Sequence, residues 1–219
     1  MCAGLPSLIS PLRDYREWHR TYDDPSSSLS WRLSTLQGFI ENAVDHNPGQ
    51  IRIVSACAGD GRDVLGVLAN REDSGRVGVT LVEIDPELAA SARRMAARCH
   101  ATVEVRAADA GYTDAYVGAA PAELVLLVGI FGNISEADIQ TTIAAAPQLC
   151  RPGATLMWSR GRERSDLNPS IRAWFEAAGF TELDYATLER GSRPALGVVR
   201  YEGPPRELVP GQRLFTFVR

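Results

Sequence analysis

The chain contains no lysine: all 23 basic residues among its 219 are arginine. Schiff-base chemistry, a P-loop lysine and a lysine general base are thereby excluded. Histidine is nearly as scarce. His19, His46 and His100 stand far apart, outside metal-ligand spacing. The four cysteines, Cys2, Cys57, Cys99 and Cys150, form no C-x-x-C pair, so neither a zinc site nor a disulfide framework is expected and no metal is assigned. No apolar run approaches the length of a membrane span. Met1–Ser10 lacks the basic and long apolar regions of a signal peptide. The expectation is a cytoplasmic protein with no membrane partner. There is no dense basic block, and the net charge is −4, which argues against nucleic acid as the main partner. Arg160, Arg162 and Arg164 form the one basic cluster, read as a solvated loop unless it meets an anionic substrate.

What is present has the length of one domain with ample core. Two helices are expected first. Ser10 and Pro11 open one over residues 10–24, with Leu12, Tyr15, Trp18, His19 and Tyr22 at helical spacing. Ser28 opens another, with Leu29, Leu33, Leu36, Ile40 and Val44 on one face. From Ile51 strands and helices alternate. Strands are expected at Ile51–Ala56, Val77–Ile84, Thr102–Arg106, Glu123–Val128 and Ala154–Ser159, and helices at Asp63–Asn70, from Asp85-Pro86 through Arg98, at Ser135–Leu149 and at Ser170–Ala178. Two last strands are read at Thr181–Leu188 and Gln212–Val218, joined by a glycine- and proline-rich connection. Alternation with nearly continuous apolar strands specifies an α/β fold, a doubly wound, mostly parallel sheet covered on both faces. Residues 1–48 are expected to be a helical extension and 49–219 the ligand-binding domain.

The segment Ile51–Asp63, I-R-I-V-S-A-C-A-G-D-G-R-D, carries the most information. An apolar strand enters a glycine turn and a helix leaves it, a corner that brings backbone N–H groups close to a ligand. Glu83 follows 22 residues after Gly61, at the end of the second strand. An acid at about that distance is where doubly wound sheets grip ribose hydroxyls. Asp109 follows strand three and can accept from an exocyclic adenine amine, while the Ala110 N–H can donate to a ring nitrogen. The fourth strand ends at Val128-Gly129, facing the same cleft. Asp85 reads as a helix cap and Cys57 as a small packing residue; Asp60 serves equally as a turn stabiliser or a ligand contact.

This constellation resembles the class I S-adenosylmethionine (SAM)-dependent methyltransferases, over about Ile51–Ser159 and more weakly in the tail. The resemblance implies a Rossmann-like, seven-stranded sheet with its last strand antiparallel. It also implies SAM as cofactor, with S-adenosylhomocysteine (SAH) as product. Implied cofactor contacts are Ser55, Ala56, Cys57, Gly59, Asp60, Gly61, Asp63, Glu83, Ile84, Asp109, Ala110, Val128 and Gly129. Ser55 and Cys57 stand where the commonest pattern has an acid and a third glycine. The string R-I-V-S-A-C-A-G-D-G-R-D is similar to the variant in chemotaxis-receptor methyltransferases, which implies Asp63 for the methionyl amino group, with Asp60 as second candidate. Arg32 is a candidate for the cofactor carboxylate.

In this family an amino-terminal addition commonly covers the acceptor. Tyr15, Trp18 and Tyr22 then either pack inward or sandwich a flat substrate, with His19 as candidate base. Phe131 and Asn133, in G-I-F-G-N-I-S after strand four, are further substrate candidates; Asn133 also suits a helix cap. This string is not the Asn/Asp-Pro-Pro-Tyr/Phe of enzymes that methylate planar nitrogens. The reading is transfer of a methyl group to oxygen or nitrogen of a small molecule. The arginine-only, alanine-rich composition associates with high-GC genomes, where such enzymes often modify secondary metabolites. Two alternatives are an NAD(P)-dependent oxidoreductase, against which Val64 occupies the third-glycine position, and a non-catalytic SAM-binding module. Monomer and homodimer both stay open.

Overall fold

A computed structural model of the chain describes residues 24, 27–162, 165–191 and 193–218. Helix α1 (Ser28–Asp45) is capped by the Ser27 hydroxyl, which accepts from the Ser30 N–H. Then follow β1 (Ile51–Ala56), the short α2 (Val64–Leu68), β2 (Val77–Val82), α3 (Pro86–Ala96) and β3 (Thr102–Arg106). The second half comprises β4 (Ala122–Leu127), α4 (Glu136–Ala145), β5 (Cys150–Gly161), α5 (Asn168–Ala177), β6 (Phe180–Thr187) and β7 (Pro194–Tyr201).

The strands form one seven-stranded sheet in the order β3-β2-β1-β4-β5-β7-β6. β1 pairs in parallel with β2 on one side and β4 on the other, so the strand order reverses beside it. β7 runs antiparallel to both of its neighbours, β5 and β6. Alternate residues face opposite layers, as the two-residue period of a strand requires. Ile53, Leu81, Leu124 and Leu126 pack with Leu36, Ile40 and Val44 of α1 and with Leu65. Val54, Val82, Val125 and Leu127 point the other way, into a cluster with Phe131, Trp158 and Phe175. The Trp158 and Phe175 rings stack at 5.9 Å there. Among the described residues no helix is long and apolar enough to cross a membrane.

The tail departs from the sequence reading. The final strand is Pro194–Tyr201, inside the stretch read as a connection. Proline is tolerated as the first residue of a strand, where no ladder donor is lost. Gly197 is demanded by packing: a Cβ there would lie 2.3 Å from the Trp158 ring. Gln212–Val218, expected as that strand, joins no ladder and makes only isolated bridges, Tyr112 to Arg213 and Ile134 to Phe217. It runs instead along the carboxyl edge of the sheet. The expected helix over residues 10–24 lies outside the described residues, Asp24 aside.

Candidate functional site

Beside the reversal of strand order, at the carboxyl ends of β1–β4, lies a cavity of about 490 Å³, the place and size expected of a ligand site in such sheets. Its floor is the turn after β1. The Ala58 N–H donates to Val82 O, and the Gly61 N–H donates to Ala58 O, which folds the turn back on itself. Gly61 has φ +73°, which favours glycine, and a Cβ there would sit 2.7 Å from the Leu81 side chain, which would have to shift. Cys57 also adopts a left-handed backbone, φ 52°. The turn therefore holds a residue with a Cβ in a conformation that glycine adopts freely. Such a conformation stores about 1–3 kcal/mol in a residue with a Cβ. Cys57→Gly is expected to leave urea stability unchanged or raised, while the β-branched Cys57→Val loses about 1–3 kcal/mol by the same measurement. Burial, with Glu83 and Asp109 close by, pushes the Cys57 thiol far up, so it is no thiolate nucleophile.

Glu83 stands at the end of β2 and is 7% exposed. One carboxylate oxygen accepts from the Gly59 N–H at 2.8 Å and the other from the Asp85 N–H at 2.8 Å. Burial raises its pKa, and these N–H donors pull it partly back. The carboxylate thus ties the first turn to the second and keeps its remaining lone pairs for the cavity. Asp85 caps α3 through the Glu87 and Leu88 N–H groups and also lines the cavity. Next to Glu83, Ile84 is 67% exposed and lines the cavity, an apolar surface beside the acid.

Asp63 caps α2, accepting from the Val64 N–H at 2.8 Å. Burial first, and neighbouring Asp60 also, push its carboxyl up to about 6, against the Val64 N–H and Arg32, which lower it. Asp60 is gripped by Arg62, whose Nε and Nη2 donate to its oxygens at 3.0 and 2.6 Å. Asp109 is likewise engaged: one oxygen accepts from the Gly111 N–H at 2.8 Å, the other pairs with Arg213 at 3.1 Å. The lining holds five carboxylates (Asp60, Asp63, Glu83, Asp85, Asp109) against three guanidiniums (Arg32, Arg62, Arg213). That balance favours a cationic ligand.

Of the residues singled out in the sequence, Arg32, Cys57, Gly59, Asp60, Asp63, Glu83, Ile84, Asp109, Ala110, Val128 and Gly129 line this one cavity. Ser55 and Ala56 do not; each is 2% exposed, within the sheet beneath the turn. Gly61 lies below the floor, packed on Leu65 and Leu81. Phe131 faces away from the cavity, fully buried against Trp158 and Phe175, and so cannot meet a substrate there. Asn133 neither lines the cavity nor caps α4: its amide donates to Gly129 O, and Ser135 is the cap. Tyr15, Trp18, His19 and Tyr22 lie outside the described residues. Arg160 and Arg162 are tied to the protein rather than set toward the cavity, Arg160 by Phe131 O and Ser165 O and Arg162 by Glu189 at 2.6 Å. Among the described residues no group of three or more histidine, cysteine, aspartate or glutamate side chains is arranged to hold a metal.

Two contributions escaped sequence reasoning. Leu33 and Leu36, from the same helix as Arg32, add an apolar wall, and Arg213, Phe215, Thr216 and Phe217 close the side above β3 and β4. The i, i+1, i+4 placement of Arg32, Leu33 and Leu36 signalled the first. Nothing local signalled the second, because an extended segment and a sheet strand share one alternating pattern.

No protein-family model matches the sequence, and no curated protein is similar to it by sequence. Solved structures are similar in fold. Magnesium protoporphyrin IX methyltransferase from Synechocystis PCC 6803, with bound SAM, superposes at TM-score 0.65 with 13% identity, over 85% of this chain and 90% of that one. The 1,6-didemethyltoxoflavin-N1-methyltransferase of Burkholderia thailandensis, with its substrate and SAH bound, gives 0.58 with 20% identity over 89% and 93%. The [4+2]-cyclase SpnF gives 0.55 with 14% identity over 78% and 81%. A cyclase among them means that fold alone does not select the reaction. In strand order and antiparallel β7, this chain has the Rossmann-like fold of the SAM-dependent methyltransferases.

Proposed function

We propose that this protein is a SAM-dependent methyltransferase acting at oxygen or nitrogen of a small molecule, with secondary metabolism as its setting. The observation that carries the reading is the charge around the glycine turn. In a dinucleotide enzyme the pyrophosphate rests on the helix N-terminus after β1. Here the Asp63 carboxylate occupies that end and bonds the Val64 N–H, with Asp60 and Glu83 in the same wall. Two phosphates would meet these acids at close range. A sulfonium and an ammonium are the charges such a wall stabilises.

Bound there, SAM supplies a methyl group already activated by its positive sulfur. Glu83 is placed to take the ribose hydroxyls on its free lone pairs, with Ile84 beside the base. Asp63 suits the ammonium and Arg32 the carboxylate of the amino-acid end. The protein's task is then alignment of the acceptor with the methyl carbon, since positioning alone can supply about 7–11 kcal/mol. As the sulfonium loses its charge on transfer, the acid wall grips the neutral thioether product less strongly, which favours release. Thermal shift distinguishes the alternatives: SAM or SAH is expected to raise the melting temperature, and NAD or NADP to leave it unchanged. The reverse pattern would establish the oxidoreductase. SAH accumulating with a small-molecule acceptor separates an enzyme from a binding module.

A further inference from the structure

The tail from Gln212 to Val218 is neither a sheet strand nor a loose end. Gln212 O accepts from the Thr113 N–H at 3.0 Å, and the Leu214 N–H donates to Gly111 O at 2.7 Å. Leu214 O then accepts from the Thr142 hydroxyl at 3.0 Å, the Thr216 N–H donates to Asp138 at 3.1 Å, and the Val218 N–H donates to Asn133 O at 2.9 Å. These partners belong to the loop after β3, to α4 and to the loop after β4. The tail is therefore a strap across the carboxyl edge of the sheet, anchored by the buried Leu214 and Phe215, 2% and 1% exposed. Gly111 makes the crossing possible: a Cβ there would lie 2.4 Å from Phe215 O.

One strap side chain reaches an acid already assigned to the ligand. Arg213 Nη1 donates to the second oxygen of Asp109 at 3.1 Å and to Phe215 O at 3.4 Å. Its Nη2 donates to the Tyr112 hydroxyl at 2.6 Å, and the guanidinium lies 3.7 Å over the Tyr112 ring. Asp109 is 44% exposed at its side chain, so without these ties it would turn freely in solvent. With the Gly111 N–H on one oxygen and Arg213 on the other, its plane is set and its lone pairs keep one direction. Both Nη1 protons are used within the protein, so the pair presents acceptors to the cavity.

We propose that the strap is the outer wall at the nucleoside end of the cavity, and that Arg213 is a positioning residue that aims Asp109 at the exocyclic amine of adenine. This rests on the methyltransferase reading. An aimed carboxylate accepts from a 6-amino group and repels a 6-oxo group, which has no proton to give. Arg213 therefore sets selectivity between adenosine and inosine forms of the ligand as well as affinity.

The test is calorimetric binding of SAH and of its deaminated counterpart, S-inosylhomocysteine, to the full chain. Wild type is expected to favour SAH by about 10–150-fold, the ratio carried by one hydrogen bond to a charged acceptor. Arg213→Ala is expected to bind SAH about tenfold more weakly and to compress that ratio severalfold, the remainder being held by the Ala110 N–H, which faces a protonated N1 in the inosine form; Arg213→Lys recovers part of the loss. Gly111→Ala, which must lift Phe215 off the loop, is expected to compress the ratio in the same way. Arg213→Gln keeps the stem over Tyr112 and serves if the alanine variant fails to fold. Unchanged selectivity in the Arg213 variants, or equal weakening for both ligands, overturns the positioning role while leaving the cofactor assignment intact. Wild type binding neither ligand overturns the methyltransferase reading and the strap assignment together.

Discussion

Glu83→Ala is expected to lower SAH affinity about 10- to 150-fold in calorimetry, because contacts between a ribose diol and a charged acceptor carry about 1.5–3 kcal/mol and this acceptor is nearly desolvated. The same substitution strips the acceptor from two backbone N–H groups, those of Gly59 and Asp85. Each unsatisfied donor costs about 1–3 kcal/mol, offset in part by removal of a buried charge. A fall of about 2 kcal/mol in urea stability should accompany the loss of affinity. Glu83→Gln is a sharper probe. The amide is nearly isosteric, but both carboxylate oxygens accept from backbone donors, so one N–H must then face an NH₂ group. Glutamine is expected to lose affinity and stability almost as fully as alanine. A glutamine variant that binds SAH like wild type would remove Glu83 from the ligand contacts.

Asp63→Asn is expected to move stability and affinity in opposite directions. Burial and Asp60 hold the Asp63 carboxyl up at about 6, whereas an unfolded aspartate titrates near 3.9. The unfolded chain therefore loses this proton first. Between about pH 4 and 6 the folded state binds more protons, so stability falls as pH rises, and the cost is complete above about pH 6. Asparagine carries no such charge and can still accept from the Val64 N–H. At pH 8 the variant is expected to be more stable by roughly 2–3 kcal/mol, the free energy of a two-unit shift. It should also bind SAH at least about tenfold more weakly, because the ammonium loses its charged partner. In wild type, an ammonium beside Asp63 favours the carboxylate, so affinity should rise with pH through about 6 and binding near that pH should release a proton. Calorimetry in buffers of different ionisation enthalpy measures the proton directly. Persistence of the same pH slope in Asp63→Asn would assign it to another group.

These expectations converge on one feature, an acid-lined cavity whose charges are held by backbone donors. Glu83 spans two turns and Asp63 spends itself on the first amide of α2. The helix end that could bind phosphate is thus converted into a site for positive charge. Such an arrangement lowers the stability of the ligand-free protein locally, a familiar cost of a built binding site.

Much of this was legible in the residues themselves. Apolar runs such as Val77–Val82 mark strands buried on both faces, because only a doubly covered sheet accommodates them. Asp85-Pro86 announces α3, since aspartate satisfies its free N–H groups and proline needs none there. The glycine turn and Glu83 could be assigned to one site because parallel strands in a right-handed βαβ unit bring their carboxyl ends to the same edge. By contrast, Phe131 reads as a cavity residue from its position after β4, and only packing against Trp158 and Phe175 shows that it turns into the core.

The sequence alone determined the class of fold, the parallel core of the sheet and the corner at Gly59–Gly61, because strand period, caps and turn chemistry act over a few neighbouring residues. Only the tertiary structure decided which segment became β7, that Gln212–Val218 crosses the site as a strap, and that Arg213 meets Asp109. The strap's contacts join residues 72 to 104 positions apart, and no local pattern encodes the pairing of distant segments.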